Sequence, residues 1–362
     1  MDIFFKVRKN KILINLWRED MSAKVFGIDF GTSMLKIYKK NEGIIFDAKN
    51  IIAIADGNRV IAIGDEAFEM YGKAPSNIDV DFPVKNGVIA NIANMLALLN
   101  AALETVSRKY GKLTGAEFIV AAPTDITEVE KRAFFDLVSS SIAKTKKVRI
   151  VEKPIADALG TGLDVTTAHG VMVVDIGADT TEISILSLGG IVLSKLITIG
   201  GNRFDDSIIQ NVKKQYNLII GNKTAEVIKK ELSVALPEKE VKTLKVFGRD
   251  IVTGLPTEKE INSNFVYEST SEHLHSIVDA IRVILERTPP EISSDIIDSG
   301  VYLTGGSANI RCLDQLISQE TELTINVCED AANTVVNGLG KIIENSKLDS
   351  LAFSIRPTSY GA

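Results

Sequence analysis

Apolar and polar positions along this chain follow two rhythms. Short apolar runs end on a carboxylate and a glycine turn: Val25-Phe26-Gly27-Ile28 runs into Asp29, and Val171-Met172-Val173-Val174 runs into Asp175. Phe118 to Ala122 is apolar throughout and stops at Pro123, which predicts a buried strand. Residues 148–151 predict another strand, and 51–63 predict short strands around an Asp56-Gly57 turn. Longer stretches carry helical spacing. Residues 65–70 read as helical, and 91–110 as a helix apolar on most sides and therefore buried. Thr127 and Glu130 form a capping box that opens a helix to about Ser140. Residues 75–83 read as a polar loop, and 154–160 as a helix connecting two halves.

The second half repeats the alternation. Residues 197–205 predict a strand, a Gly200-Gly201 turn and the start of a helix to about Tyr216, whose first N–H groups suit an anion. A helix follows over 224–235. Residues 238–257 predict two exposed strands around Phe247-Gly248-Arg249-Asp250. An amphipathic helix over 271–287 ends at Pro289-Pro290. Residues 296–304 lead into Gly305-Gly306-Ser307 and a helix over about 310–318. Strands alternating with helices give an α/β chain.

The two carboxylate-tipped runs are one pattern used twice. Shifted by 146 positions, Asp29 falls on Asp175, Gly31 on Gly177, Ile37 on Ile183, Gly43 on Gly189 and Ile45 on Ile191. An internal repeat fixes architecture. Here it implies two similar halves, each opening with an Asp-x-Gly hairpin. Taken singly, such a hairpin reads equally as an ordinary polar turn. As a facing pair, the two would enclose a phosphate chain, with Thr32, Ser33, Thr180 and Thr181 as hydroxyl donors. Asp29 and Asp175 would then stand near one hydrated Mg²⁺, which keeps several waters and takes one or two carboxylates. The Gly305-Gly306 turn lets backbone approach a flat ring or a phosphate.

Composition narrows the partners. With 41 Lys and Arg against 47 Asp and Glu, the formal charge of −6 over 362 residues argues against a nucleic-acid binder. Cys312 and Cys328 are too few for a disulfide framework and read as small packing residues in a reducing cytosol. His273 and His275 lie two apart on a predicted helix and face different sides, so they do not make a metal site. His169 reads as a loop residue. No apolar run reaches the ~18 residues of a membrane span. Met1 to Asp20 is basic and apolar in alternation. It reads either as an anchor on a membrane surface or as a misassigned start before Met21.

The ordered motifs GIDFGTS (27–33), VEKPIADALGTG (151–162), VVDIGADTTE (173–182), IGGNRFD (199–205) and VYLTGGSANI (301–310) resemble the actin-like ATPase superfamily. Within it, NLIIG (217–221), TAE (224–226), GRDIVTGLP (248–256), LERTPPE (285–291) and DII (295–297) resemble the bacterial MreB and Mbl-type branch. The resemblance covers about residues 23–344. It implies an actin-like ATPase fold: two similar lobes, duplicated ribonuclease-H-like domains, around a central nucleotide cleft. It implies subdomain IA over 22–54, 87–166 and 335–362, IB over 55–86, IIA over 167–202 and 267–334, and IIB over 203–266, after an extension over 1–21.

The resemblance further implies Mg²⁺-ATP as cofactor and polymerisation into filaments of this chain. The filaments would lie on the inner face of the cytoplasmic membrane and guide wall synthesis and rod shape, with paralogues and wall-elongation membrane proteins as partners. The Leu113 loop of IA is a second candidate membrane contact. Carried over residue by residue, Gly31, Thr32, Ser33, Gly177, Ala178, Asp179, Thr180 and Thr181 surround the phosphates, with Gly200 and Gly201 beside them. Gly305, Gly306 and Ser307 approach the adenosine, Lys229 and Glu231 touch base and ribose, and Asp29 and Asp175 hold the metal.

Departures from the family pattern change the expected chemistry. Two glutamates usually precede the proline of the connecting helix, and the second is thought to orient the attacking water. Here Glu152 is followed by Lys153. Ala178 and Asp179 stand where glycines are usual in the second hairpin. A Lys153–Asp179 pair across the cleft would compensate the two changes. Losing the water-orienting carboxylate predicts ATP binding with weak hydrolysis. The rival readings are a hydrolysis-weak paralogue that co-assembles with an active one, a chaperone-type ATPase, and a sugar kinase. No peptide-binding domain or substrate-base motif supports the last two.

Overall fold

A computed structural model describes residues 24–355; the 1–20 segment and its anchor reading lie outside them. Two five-stranded sheets carry the fold. In lobe one the order is Lys147–Glu152, Glu117–Ala122, Val25–Phe30, Met34–Lys39 and Gly43–Lys49. In lobe two it is Ile325–Val327, Val301–Thr304, Val171–Ile176, Thr181–Ser187 and Gly190–Ile197. Each sheet is therefore an antiparallel three-strand meander joined on its first strand to two parallel strands. The repeat in sequence is a repeat in topology, and the register keeps it: Asp29 pairs with Lys36, and Asp175 with Glu182. The turns after the second strand of each sheet use glycines at positive φ, Gly43 at 84° and Gly189 at 74°. This is the conformation that glycine adopts at least cost.

All six positions of Val171–Ile176 are buried, because helices cover both faces of the sheet. One core fills lobe one around Phe26, Phe118 and Phe134, and another fills lobe two around Phe204, Ile281 and Leu303. A third joins them through the helices Lys153–Thr161 and Thr334–Glu344. These helices cross at backbone contact. A Cβ on Gly338 would stand 1.6 Å from the Ala156 carbonyl oxygen, and one on Gly160 would stand 1.8 Å from that of Thr334. Neither position accepts a side chain at this spacing.

Several expectations change. Ile78–Asp81, inside the expected 75–83 loop, is a strand paired with Ile52–Ala55. The exposed hairpin is Thr243–Asp250 with Pro256–Asn262, and its turn starts after Asp250, not at Phe247. The Asp250 carboxylate accepts from the N–H groups of Val252 and Thr253, and Gly254 has φ 73°. Gly248 serves a close approach instead, since a Cβ there would meet the Ile219 oxygen at 2.5 Å. The helix expected from 271 spans Ser263–Glu286, capped by Asn262. Its early hydroxyls are satisfied inside it, Ser269 and Thr270 donating to the Phe265 and Val266 carbonyls. The last predicted helix is Leu313–Thr321, after a 3-10 turn at Gly306–Asn309. Leu113 is 5% exposed and packs in the lobe-one core, so its side chain is not a membrane contact in this conformation.

Candidate functional site

The two Asp-x-Gly turns face each other across a cleft of about 610 Å³ between the lobes, within the size range of small-molecule sites. Gly31, Thr32 and Ser33 line one wall, and Gly177, Ala178 and Thr180 line the other. Asn50 fixes the first turn, donating from Nδ2 to the Gly31 oxygen (2.8 Å) and from its backbone N–H to Ser33 (2.9 Å). The second turn is closed by Gly177 N–H donating to the Thr180 carbonyl at 2.8 Å. It is held from behind by the helix Gly201–Tyr216. Gly201 and Asn202 N–H donate to the Gly177 and Ala178 carbonyls at 3.0 and 2.7 Å. Those first N–H groups hold the hairpin and are not free for an anion, contrary to the sequence expectation. Gly200 serves the same contact, since a Cβ there would lie 2.8 Å from Ala178 backbone.

At the far end, Gly305 (φ 82°) lies so close to Asp175 that a Cβ would meet its Oδ1 at 2.3 Å. Gly306 faces open space in the cleft, and Ser307 donates to the Gly177 carbonyl at 3.1 Å. Bare backbone here leaves room for a flat group. The donor set fits a nucleotide: glycine turns and hydroxyls at the centre, an open glycine platform at one end, and the ammonium groups of Lys36, Lys49, Lys153 and Lys229 around the walls.

Of the predicted residues, Asp29, Gly31, Thr32, Ser33, Lys153, Asp175, Gly177, Ala178, Thr180, Gly201, Lys229, Gly305, Gly306 and Ser307 line this one cleft. Glu152, Asp179, Thr181, Gly200 and Glu231 do not. Thr180, at the end of the turn, lines the cleft, whereas the buried Thr181 hydroxyl, the first residue of the returning strand, donates to the Ile199 carbonyl at 2.8 Å. Glu231 lies on the exposed side of the helix Asn222–Leu232. Glu226, five residues earlier on the same helix, lines the cleft in its stead and meets Lys49 of lobe one at 3.1 Å. Lys229 pairs with Asp205 at 2.6 Å. Burial pushes the Asp205 carboxyl up to about 6 against the pull of Lys229.

The expected Lys153–Asp179 pair is absent. Asp179 accepts from the Asn86 N–H at 2.9 Å and from Asn202 Nδ2 at 2.6 Å, tying the hairpin to lobe one. Lys153 instead reaches Asp175, Nζ to Oδ2 at 2.5 Å. The reason is positional: Lys153 opens its helix at the floor of the cleft, among the carboxylates of Asp175, Glu182, Asp29 and Asp157. Burial alone would lower its pKa. Asp175, Glu182 and Asp29 outweigh burial and hold it above the ordinary lysine value. Asp157 was not anticipated. It is buried, accepts from the Thr304 hydroxyl at 2.6 Å, and is pushed up to about 8, by burial first and Asp175 second.

The metal expected at Asp29 and Asp175 does not fit this arrangement. One oxygen of Asp175 already holds the Lys153 ammonium, a cation standing where a metal on that oxygen would be. Burial raises the Asp29 carboxyl above its usual range, against the pull of Lys153 and Lys36. His273 meets the Ser207 hydroxyl at 2.8 Å and His169 meets Asp295 at 3.1 Å.

A model of the MreB/Mbl protein family matches residues 23–350. The chain belongs to this family. Among MreB/Mbl relatives, the cell shape-determining protein MreB of Escherichia coli is 39% identical over 90% of this chain and 94% of its own length. The cell shape-determining protein Mbl of Bacillus subtilis is 37% identical over 90% and 97%. The crystal structure of MreB5 of Spiroplasma citri bound to ADP superposes with a TM-score of 0.85 at 30% identity, covering 91% of this chain and 98% of that one. The same protein bound to AMPPNP gives 0.84. The fold is therefore the actin-like one of MreB, with two similar lobes around a cleft. No helix among the described residues is long and apolar enough to cross a membrane.

Proposed function

We propose that this MreB/Mbl-family chain binds an adenine nucleotide, ATP in its working state, in the cleft between its lobes. In that state it assembles with copies of itself into filaments on the inner face of the membrane, where they guide wall synthesis and cell shape. The observation that carries this reading is the pair of Asp-x-Gly turns facing across one cleft, with the open Gly306 at its end. The nucleotide-bound MreB5 structures, 30% identical, support it.

Hydrolysis in this reading is slow. A general base must carry a free lone pair within reach of the attacking water. At the start of the connecting helix the cleft is lined by Lys153, an ammonium held by Asp175, while Glu152 lies outside the lining. The same observation favours a second reading, a chain that turns over little ATP and co-assembles with an active paralogue.

Electron microscopy of the purified chain with ATP tests the two. Filaments from this chain alone support the first reading. Filaments that need an added active family member support the second. Absence of filaments under both conditions refutes assembly. Liposome co-sedimentation of the full chain against one starting at Met21 tests the anchor reading of residues 1–20; equal binding refutes it.

A further inference from the structure

The floor of the cleft carries its own cation. Lys153 Nζ lies 2.5 Å from Asp175 Oδ2, and both side chains are largely buried, at 19% and 9% exposure. Lys153 and Asp175 nevertheless line the cleft, together with Asp29 and the two glycine turns. The ammonium thus lines, beside the carboxylates of Asp175 and Asp29, the space where a phosphate chain would lie. It has three N–H donors. Asp175 takes one, and the cleft side remains for an anionic oxygen. A hydrated divalent ion bound through Asp175 would need room for several waters around that carboxylate. One of its oxygens is held by Lys153, and the ammonium stands where a bound water or ion on that oxygen would have to lie. A second ammonium, Lys36, lines the same floor and is anchored on the Ala332 carbonyl and on Asn333 Oδ1.

We propose that Lys153 is a built-in counter-ion that takes the place of a divalent cation at the nucleotide phosphates, so that this chain binds its nucleotide without requiring metal. The assignment rests on the nucleotide reading above. It gives the Lys153–Asp175 pair a purpose that packing alone does not. Two charges taken this far from water cost more than their attraction returns unless further bonds satisfy them, and a phosphate oxygen on the remaining donors is such a bond.

The test is the affinity of the full chain for AMPPNP by isothermal titration calorimetry, with Mg²⁺ and with excess EDTA. The expected result is two affinities that agree within roughly threefold. Lys153→Glu reverses the local charge by two units, that of one divalent ion, and is expected to bind at least about tenfold more weakly in EDTA than in Mg²⁺. Wild-type binding that weakens about tenfold or more in EDTA overturns the proposal while leaving the nucleotide reading intact. A Lys153→Glu chain as indifferent to metal as the wild type overturns the role of Lys153. Absence of binding under both conditions overturns the nucleotide reading and the proposal with it. If the variant does not fold, the wild-type comparison still decides.

Discussion

Replacing Gly338 by Ala adds one methyl group at the tightest point between the two helices that join the lobes. The ideal Cβ would lie 1.6 Å from the Ala156 carbonyl oxygen and 2.5 Å from its carbon, both backbone atoms of the crossing helix Lys153–Thr161. Contacts below about 3 Å are not tolerated, so the two helices must separate by more than an ångström. Neither can do so alone. The Lys341 ammonium donates to the Leu159 carbonyl at 2.6 Å, and both helices share the inter-lobe core with Val173, Leu186 and Ile119. Forcing extra volume into packed structure costs about 1–3 kcal/mol, occasionally more, and rigid backbone on both sides puts this case at or above the upper end. Against that, Ala gains up to about 1 kcal/mol over Gly in a helix interior. The net expectation is a loss of about 2 kcal/mol or more, read as a fall in Tm of about 3 °C or more in a thermal melt. Gly190→Ala is the control: its nearest neighbour is 3.9 Å away, its φ is not positive, and it should change stability by less than about 0.5 kcal/mol. An unchanged or raised Tm for Gly338→Ala would refute the claim that the crossing is set by backbone contact.

Asp157 and the mouth of the cleft give two more tests. Asp157 has a native pKa of about 8 against an ordinary 3.8. The folded chain therefore keeps a proton that the unfolded chain releases, and this contribution, full below 3.8, is lost as pH rises toward about 8. Asp157→Asn should flatten the Tm–pH profile over that window and raise Tm at its alkaline end; an unchanged slope counts against the assignment. At the cleft mouth, Lys49 and Glu226 join the lobes at 3.1 Å, 17% and 22% exposed. A double-mutant cycle with alanine at both positions, read by thermal or denaturant unfolding, should give a coupling of about 0.5–1 kcal/mol; zero coupling would mean the pair does not hold the cleft.

The sequence by itself determined the duplication and the two turns. Asp29 and Asp175 head the same spacing of glycines and apolar residues, and that spacing depends only on the local geometry of a strand, a tight turn and a returning strand. The capping box at Thr127 and Glu130 was equally local, and its reciprocal hydrogen bonds are present. Legibility failed where long-range partners decide. Ile78–Asp81 is short and acid-rich, and it becomes a strand because Ile52–Ala55 supplies its hydrogen bonds. Gly248 looked like a turn and is a point of contact with Ile219, although the Asp250-x-x-Thr253-Gly254 pattern of the true turn was there to be read. The charges were the hardest case. Lys153 and Asp179 are both departures from the family pattern, which made them look like one pair. Only the packing of the Lys153–Thr161 helix against the lobe-two sheet brings Lys153 to Asp175, and only the approach of lobe one gives Asp179 the N–H of Asn86. An ion pair is set by three-dimensional distance and burial, which no local spacing encodes. The sequence therefore specified a cleft, while the tertiary structure chose which carboxylate its one unexpected cation would meet.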